Sequence, residues 1–189
     1  MKLRLLVASL ALASSSVFAQ SSMTAVYGVQ DAVPSNVQSH ITNLVVRTTV
    51  IPKRLVVDGG IYTTTGDVSR AITNRYEIGA TTGYDLNQTF RADLRLATGM
   101  KAVSTKQDFA YYSVEPGINA RVGDFTARVA YRHRNAYDSA PANNNDTSNT
   151  MRYAVGYHLT KKDRITLGYD VLRGDGANNS TTIAYTRSF

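Results

Sequence analysis

From residue 22 to its end the chain alternates apolar and polar residues at every second position. In the stretch MRYAVGYHL, Met151, Tyr153, Val155, Tyr157 and Leu159 fall on one face, and Arg152, Ala154, Gly156 and His158 on the other. The stretch RITLGYDV repeats this, with Ile165, Leu167, Tyr169 and Val171 set against Arg164, Thr166, Gly168 and Asp170. Successive side chains of a strand point to opposite faces, so a period of two predicts β-strands with unlike faces. Ten such segments are read near 22–30, 40–51, 54–65, 71–84, 88–99, 107–121, 124–137, 149–159, 163–173 and 179–189.

The connections alternate in length. Tight turns are expected at Pro52-Lys53, Asp85-Leu86-Asn87, Val122-Gly123 and Thr160-Lys161-Lys162, and longer polar loops at DAVPSNVQS, TGDVS, TGMKAVSTKQ, DSAPANNNDTSN and GDGANN. Every hairpin is then short at one end of the sheet and long at the other. A soluble Greek-key sandwich has no reason to keep that order. A transmembrane up-and-down barrel keeps it, with short periplasmic turns, longer outer loops and an even strand number. The expected fold is therefore all-β, an antiparallel barrel of about ten strands, with eight or twelve as alternatives.

Charge follows the same parity. One face carries Leu44, Val46, Val50, Leu55, Val57, Ile61, Ile78, Phe90, Leu94, Leu96, Val114, Ile118 and Val129, together with Tyr76, Tyr112 and Tyr131. The other carries Arg47, Asp58, Arg75, Glu77, Arg91, Asp93, Arg95, Glu115, Arg121, Arg128, Arg132, Arg134, Arg152, Arg164 and Asp170. A water-soluble barrel turns its apolar face inward. In lipid the order inverts, because a charge facing mid-membrane costs about 2–4 kcal/mol. Tyr84, Phe90, Tyr157 and Phe189 beside the short turns, and Tyr137 and Tyr169 nearer the long loops, suit the aromatic girdles of two membrane interfaces. The lysines after residue 19 fall at 53, 101, 106, 161 and 162, all expected in connections. Pro116 falls inside the sixth segment and predicts a bulge or kink, since proline gives the ladder no N–H.

The N-terminal stretch fits an exported chain. Residues 1–19 combine Lys2 and Arg4, an apolar run from Leu5 to Leu12 and a small-x-small site ending at Ala19. That is a secretory signal, leaving 20–189 as one barrel domain. The chain has no cysteine, so no disulfide frame supports it. Without the signal's two cations, 19 Lys and Arg stand against 14 Asp and Glu. An exported basic chain points to anionic surfaces or acidic ligands rather than nucleic acid. There is no glycine-rich phosphate loop and no histidine set spaced for a metal, so neither cofactor nor metal is expected.

The chain ends STTIAYTRSF, with Ile183, Tyr185 and Phe189 on one parity and a terminal aromatic. Here the sequence resembles the small outer-membrane β-barrel proteins of Gram-negative bacteria. In that group such an ending serves as the signal read by the barrel-assembly machinery; Arg187 departs from the pattern. The resemblance implies outer-membrane lipid and lipopolysaccharide as surroundings, and a monomer.

Within the inward face, ten arginines face five acids. If Tyr84 pairs with Gln88, Glu77 lies opposite Arg95. If Arg121 pairs with Asp124, Glu115 sits diagonally between Arg128 and Arg132. Opposite charges at these spacings attract, so a salt-bridged plug is one reading. About half of the arginines would still lack an acid, which favours the other reading, a narrow anion-attracting pore. Arg91, Arg95, Arg121, Arg128, Arg132 and Arg134 form its most basic wall, with Arg152 and Glu115 also on the pathway. In character this is similar to the monomeric porins specific for acidic oligosaccharides, whose barrels carry more strands than the ten counted here. An enzyme is not expected: in YRHRNAY, His133 is followed by Arg134 and Asn135, so no serine nucleophile stands beside it. His40 with Asp31 or Asp67 makes only a thin case for an acid–histidine pair, and His158 faces the lumen near a short turn.

Overall fold

The computed structural model describes residues 20–35, 37–68, 70–104, 108–138, 147–174 and 177–189. Residues 1–19, read above as a secretory signal, and most of the DSAPANNNDTSN stretch lie outside the described residues. Ten antiparallel strands follow in chain order: β1 (Ser21–Ala32), β2 (Gln38–Ile51), β3 (Leu55–Gly66), β4 (Ile72–Asp85), β5 (Phe90–Val103), β6 (Phe109–Val122), β7 (Phe125–Ala136), β8 (Ser148–His158), β9 (Asp163–Gly174) and β10 (Asn178–Ser188). Each pairs with its chain neighbours, and β1 pairs with β10 from Ser22↔Ser188 to Ala32↔Asn178. The sheet is closed, so no strand edge is left unpaired. Both ends of the barrel chain meet at the short-turn end, where the Phe189 N–H donates to the Ser21 carbonyl at 2.9 Å.

Closure decides which face meets the membrane. Leu44, Ile78, Phe90, Leu96, Ile118, Val129, Leu167 and Ile183 are exposed, whereas Asp58, Glu77, Arg95, Glu115, Arg132 and Arg134 are buried. Apolar side chains cover the outside and charges fill the inside, the arrangement that lipid selects. Among the described residues no helix is long and apolar enough to cross a membrane. Rings mark the short-turn rim, where Phe125 and Tyr157 pack at 4.9 Å between centroids, and Tyr112 and Tyr137 pack at 5.5 Å nearer the long loops.

The turns differ from expectation in ways that reset the register. The tightest hairpin is Gly123-Asp124, one residue later than expected: Val122 pairs with Phe125, and Gly123 takes φ +58°. A two-residue hairpin of this twist needs a positive φ, which glycine adopts without strain. Between β4 and β5 the loop spans 86–89, where the Asn87 Oδ1 accepts the N–H groups of Thr89 and Phe90 at 2.8 Å each. Tyr84 therefore pairs with Ala92, and Arg95 faces Thr81 rather than Glu77. The strand β5 runs on to Val103 and takes Lys101 out of the expected loop. Likewise β9 and β10 leave only 175–177 between them, so that loop is not long.

Pro116 makes no bulge. The ladder with β7 has the same register on either side, at Val114↔His133 and Gly117↔Ala130, so no residue is inserted. On the other edge Pro116 stands level with Leu94. The ladder is instead irregular at Thr49/Ile51, ahead of Pro52 and Lys53, the latter at φ 60°.

Candidate functional site: the barrel lumen

Two ion-pair chains line the lumen between β3 and β9. In the first, Arg95 of β5 bonds Asp58 of β3 through Nη2 at 2.5 Å and Nε at 3.0 Å, and Glu77 of β4 through Nη1 at 2.7 Å. Glu77 also accepts from Arg132 of β7 and, at 2.8 Å, from the Tyr111 hydroxyl of β6. In the second, Arg128 bonds Asp93 at 3.0 Å and Glu115 at 2.6 Å. Glu115 accepts from Arg152 at 3.0 Å, and Arg152 leans on its cross-strand partner Asp170 at 3.2 Å. Asn119 completes Asp93.

Two glycines let these chains form. Gly79 of β4 lies level with Asp58, and a Cβ there would meet the Arg95 guanidinium at 2.6 Å. Gly117 of β6 lies level with Asp93, and its Cβ would meet Asp93 Oδ1 at 2.8 Å and Arg128 Nη2 at 2.9 Å. In each case an arginine passes over the intervening strand where a side chain is missing. Strand tilt brings side chains offset along the ladder to the same depth. Arg95 thus reaches Glu77 although the hairpin does not pair them. Glu115 stands level with Arg132 on the observed register, yet it binds Arg128 and Arg152 while Arg132 turns to Glu77.

The structure accordingly splits the predicted pathway residues. Arg95, Arg128, Arg132 and Arg152 converge on Glu77 and Glu115 with Asp58, Asp93 and Asp170. Arg91 sits apart at the short-turn end, held by Asp85 at 2.8 Å and the Lys53 carbonyl at 2.6 Å. Arg121 lies at that end too, where its Nε donates to the Gly123 carbonyl at 3.4 Å. Arg134 stands over the Tyr111 ring at 5.3 Å with a buried, unbonded Nε. Arg75 stands over Tyr62 at 5.4 Å. The expected basic wall is therefore not a free track. Among the described residues, Arg47, Arg75, Arg121, Arg134 and Arg164 have no carboxylate within ion-pair distance, half of the inward arginines.

Tyr111, fully buried, and Tyr62 are site residues that the sequence reading missed. Parity alone places Tyr111 inward with Ser113 and Glu115, but a tyrosine among girdle tyrosines draws no notice. The wall facing β5–β7 is mostly small and uncharged, apart from Ile41, Val45 and, toward the short-turn end, Arg47, all of β2. There β10, β1 and β2 present Ser180, Thr182, Thr186, Thr24, Gly28 and Asn43, with Thr24 and Thr186 hydroxyls 2.9 Å apart.

The histidines lie at the rims. His133 bonds Asn149 at 2.9 Å beside Tyr131. His40 does meet Asp67, at 3.2 Å, and its other nitrogen takes the Tyr27 hydroxyl at 3.2 Å. Both ring nitrogens are thus engaged in tying the 67–71 connection to the outer wall. At the chain end Ile183, Tyr185 and Phe189 all face outward. The Tyr185 hydroxyl donates to Asp163 at 2.5 Å, and Arg187 also approaches that carboxylate, at 3.4 Å.

Fold and lumen define a class: a closed, ten-stranded, antiparallel transmembrane barrel of the outer-membrane type with a charged interior. The sequence matches no protein-family model, and no curated protein is similar to it in sequence. In backbone it is similar to an outer-membrane channel from Pseudomonas putida F1, with a TM-score of 0.58 at 9% identity over 93% of this chain and 98% of that one. It is also similar to the KdgM porin in complex with disordered oligogalacturonate, with a TM-score of 0.55 at 12% identity over 89% and 99% of the two chains. The NanC porin aligns with a TM-score of 0.54 at 12% identity over 87% and 98%. These likenesses establish a shared barrel fold.

Proposed function

We propose that this protein is a narrow, anion-preferring porin-like channel of the bacterial outer membrane. The observation that carries the reading is the set of five inward arginines with no carboxylate partner among the described residues, found at both ends of the lumen. A charged ring with low-dielectric walls concentrates counter-ions, and guanidinium forks suit carboxylate and phosphate solutes. Arg75 and Arg134, backed by Tyr62 and Tyr111, form the outer entry. Small anions then pass along the hydroxyl wall of β10, β1 and β2, away from the ion-pair chains of the opposite wall. Acidic oligosaccharides are the larger solutes to test, because arginine–tyrosine surfaces suit both sugar faces and carboxylates.

A second reading has its own support. Asp58, Glu77, Arg95, Glu115 and Arg132 are all buried, so the ion-pair chains could close the lumen and leave a structural barrel that works through its loops. Refolding into detergent followed by single-channel recording separates the two. In either case the barrel acts as a monomer and not as an enzyme. The assembly machinery recognises Ile183, Tyr185 and Phe189, and Arg70 and Arg173 at the outer rim face lipopolysaccharide phosphates.

A further inference from the structure

Three arginines and a histidine at the short-turn end have no part in the ion-pair chains. Arg47 projects from β2, Arg121 from β6, His158 from β8 and Arg164 from β9. These strands are spread around the ten-stranded ring, so the four side chains enter the lumen mouth from different walls. Arg47 and Arg121 are the charges that act on Arg164, and Arg164 and Arg121 act on His158. His158 and Arg164 are also direct cross-strand partners.

The acids of this end are engaged elsewhere or point away. Asp58 stands directly opposite Arg47 on the ladder, yet both of its oxygens bond Arg95. Asp85 is held by Arg91, and Asp163 by Tyr185, Thr160 and Arg187. Asp124 acts on His158 but lies within ion-pair distance of none of the four. Arg164 keeps a buried Nε with no acceptor. A buried guanidinium N–H without a partner is costly, and like charges facing each other across a narrow mouth repel. Both penalties vanish when a multivalent oxyanion sits between them.

We infer that Arg47, Arg121, Arg164 and His158 form an oxyanion-binding ring at the short-turn mouth, selective for phosphate-class anions carrying two or more charges. Three planar forks from different walls match the tetrahedral oxygens of such a group better than a monovalent halide can. The ring is distinct from the arginine–tyrosine entry at the other end. Its role as a selectivity element rests on the channel reading, whereas binding itself does not.

The test is calorimetric titration of pyrophosphate into the refolded 20–189 barrel, with folding checked by heat-modifiable gel mobility. Arg47→Gln and Arg164→Gln should each weaken binding about tenfold, the loss of one charge-assisted contact. Arg187→Gln, an outward cation at the same end held by Asp163, should leave it unchanged. Arg47 is exposed and, among the described residues, makes no side-chain bond that folding would miss, so its variant reads the ring even if Arg164→Gln fails to fold. Equal pyrophosphate affinity in wild type and Arg47→Gln would overturn the ring. A barrel that binds pyrophosphate through these residues but carries no current keeps the ring and loses the channel. A chloride-selective current with no pyrophosphate binding does the reverse.

Discussion

Glu77 and Glu115 command the middle of the lumen because each carboxylate has two oxygens and each oxygen has an arginine. Glu77 joins Arg95 to Arg132 with Tyr111 beside them, and Glu115 joins Arg128 to Arg152. Removing one charge from such a buried set leaves the others uncompensated, at a cost of about 3–5 kcal/mol. Glu77→Ala should therefore lower the urea midpoint of the refolded barrel sharply, and a midpoint within error of wild type would show the chain to be ornamental. Gly79→Val should act on the same chain by steric means, since even a Cβ would sit 2.6 Å from Arg95. The expected loss is about 1–3 kcal/mol, read as the same midpoint shift. These contacts were only half legible in the sequence. Parity named the inward charges, but pairing depends on register, and register was misjudged by the length of two turns. The glycines that let Arg95 and Arg128 cross a strand have no sequence signal at all.

Strands were the most legible level. Period-two alternation is a local property of the backbone, so all ten strands were recognised and their limits lie close to those observed. What sequence missed at this scale arose from neighbours. The strand β5 continues through Lys101 because β4 and β6 continue beside it, and Lys101 gains the Phe109 ring at 5.3 Å. Pro116 is carried without a bulge because the ladder simply omits its bond to β7. The parity itself can be tested on β9, where Leu167 faces out and Thr166 faces in. Leu167→Arg should destabilise the barrel in lipid vesicles by about 2–4 kcal/mol, and Thr166→Arg by far less. Equal costs would mean that the faces are misassigned. At β10, Phe189→Ala should slow insertion by the assembly machinery in cells while leaving the refolded protein's unfolding midpoint nearly unchanged. If insertion proceeds at the wild-type rate, the chain end is not the signal proposed.

At the scale of the whole molecule, a strand number of ten sets the problem. Barrels of about eight strands fill their interior with side chains, and those of 16–18 leave an aqueous channel. This lumen lies between the two, with one wall of ion pairs and a facing wall of hydroxyls and small side chains. Its charge does not balance. The five acids deeper in the lumen all lie within the two chains and Asp85 holds Arg91 at the short-turn end, so the remaining arginines gather at the two mouths. On the channel proposed above, an ion entering from either side meets arginines that have no carboxylate partner among the described residues, and such a mouth would favour chloride over potassium. The central claim is that this barrel conducts, and conducts anions. Single-channel recording in planar bilayers under a KCl gradient tests it most directly. The account predicts discrete openings with a reversal potential on the chloride side, moved toward zero in the Arg75→Gln/Arg134→Gln double variant. A correctly folded barrel with no openings at any voltage, or one whose reversal potential lies on the potassium side, would contradict it.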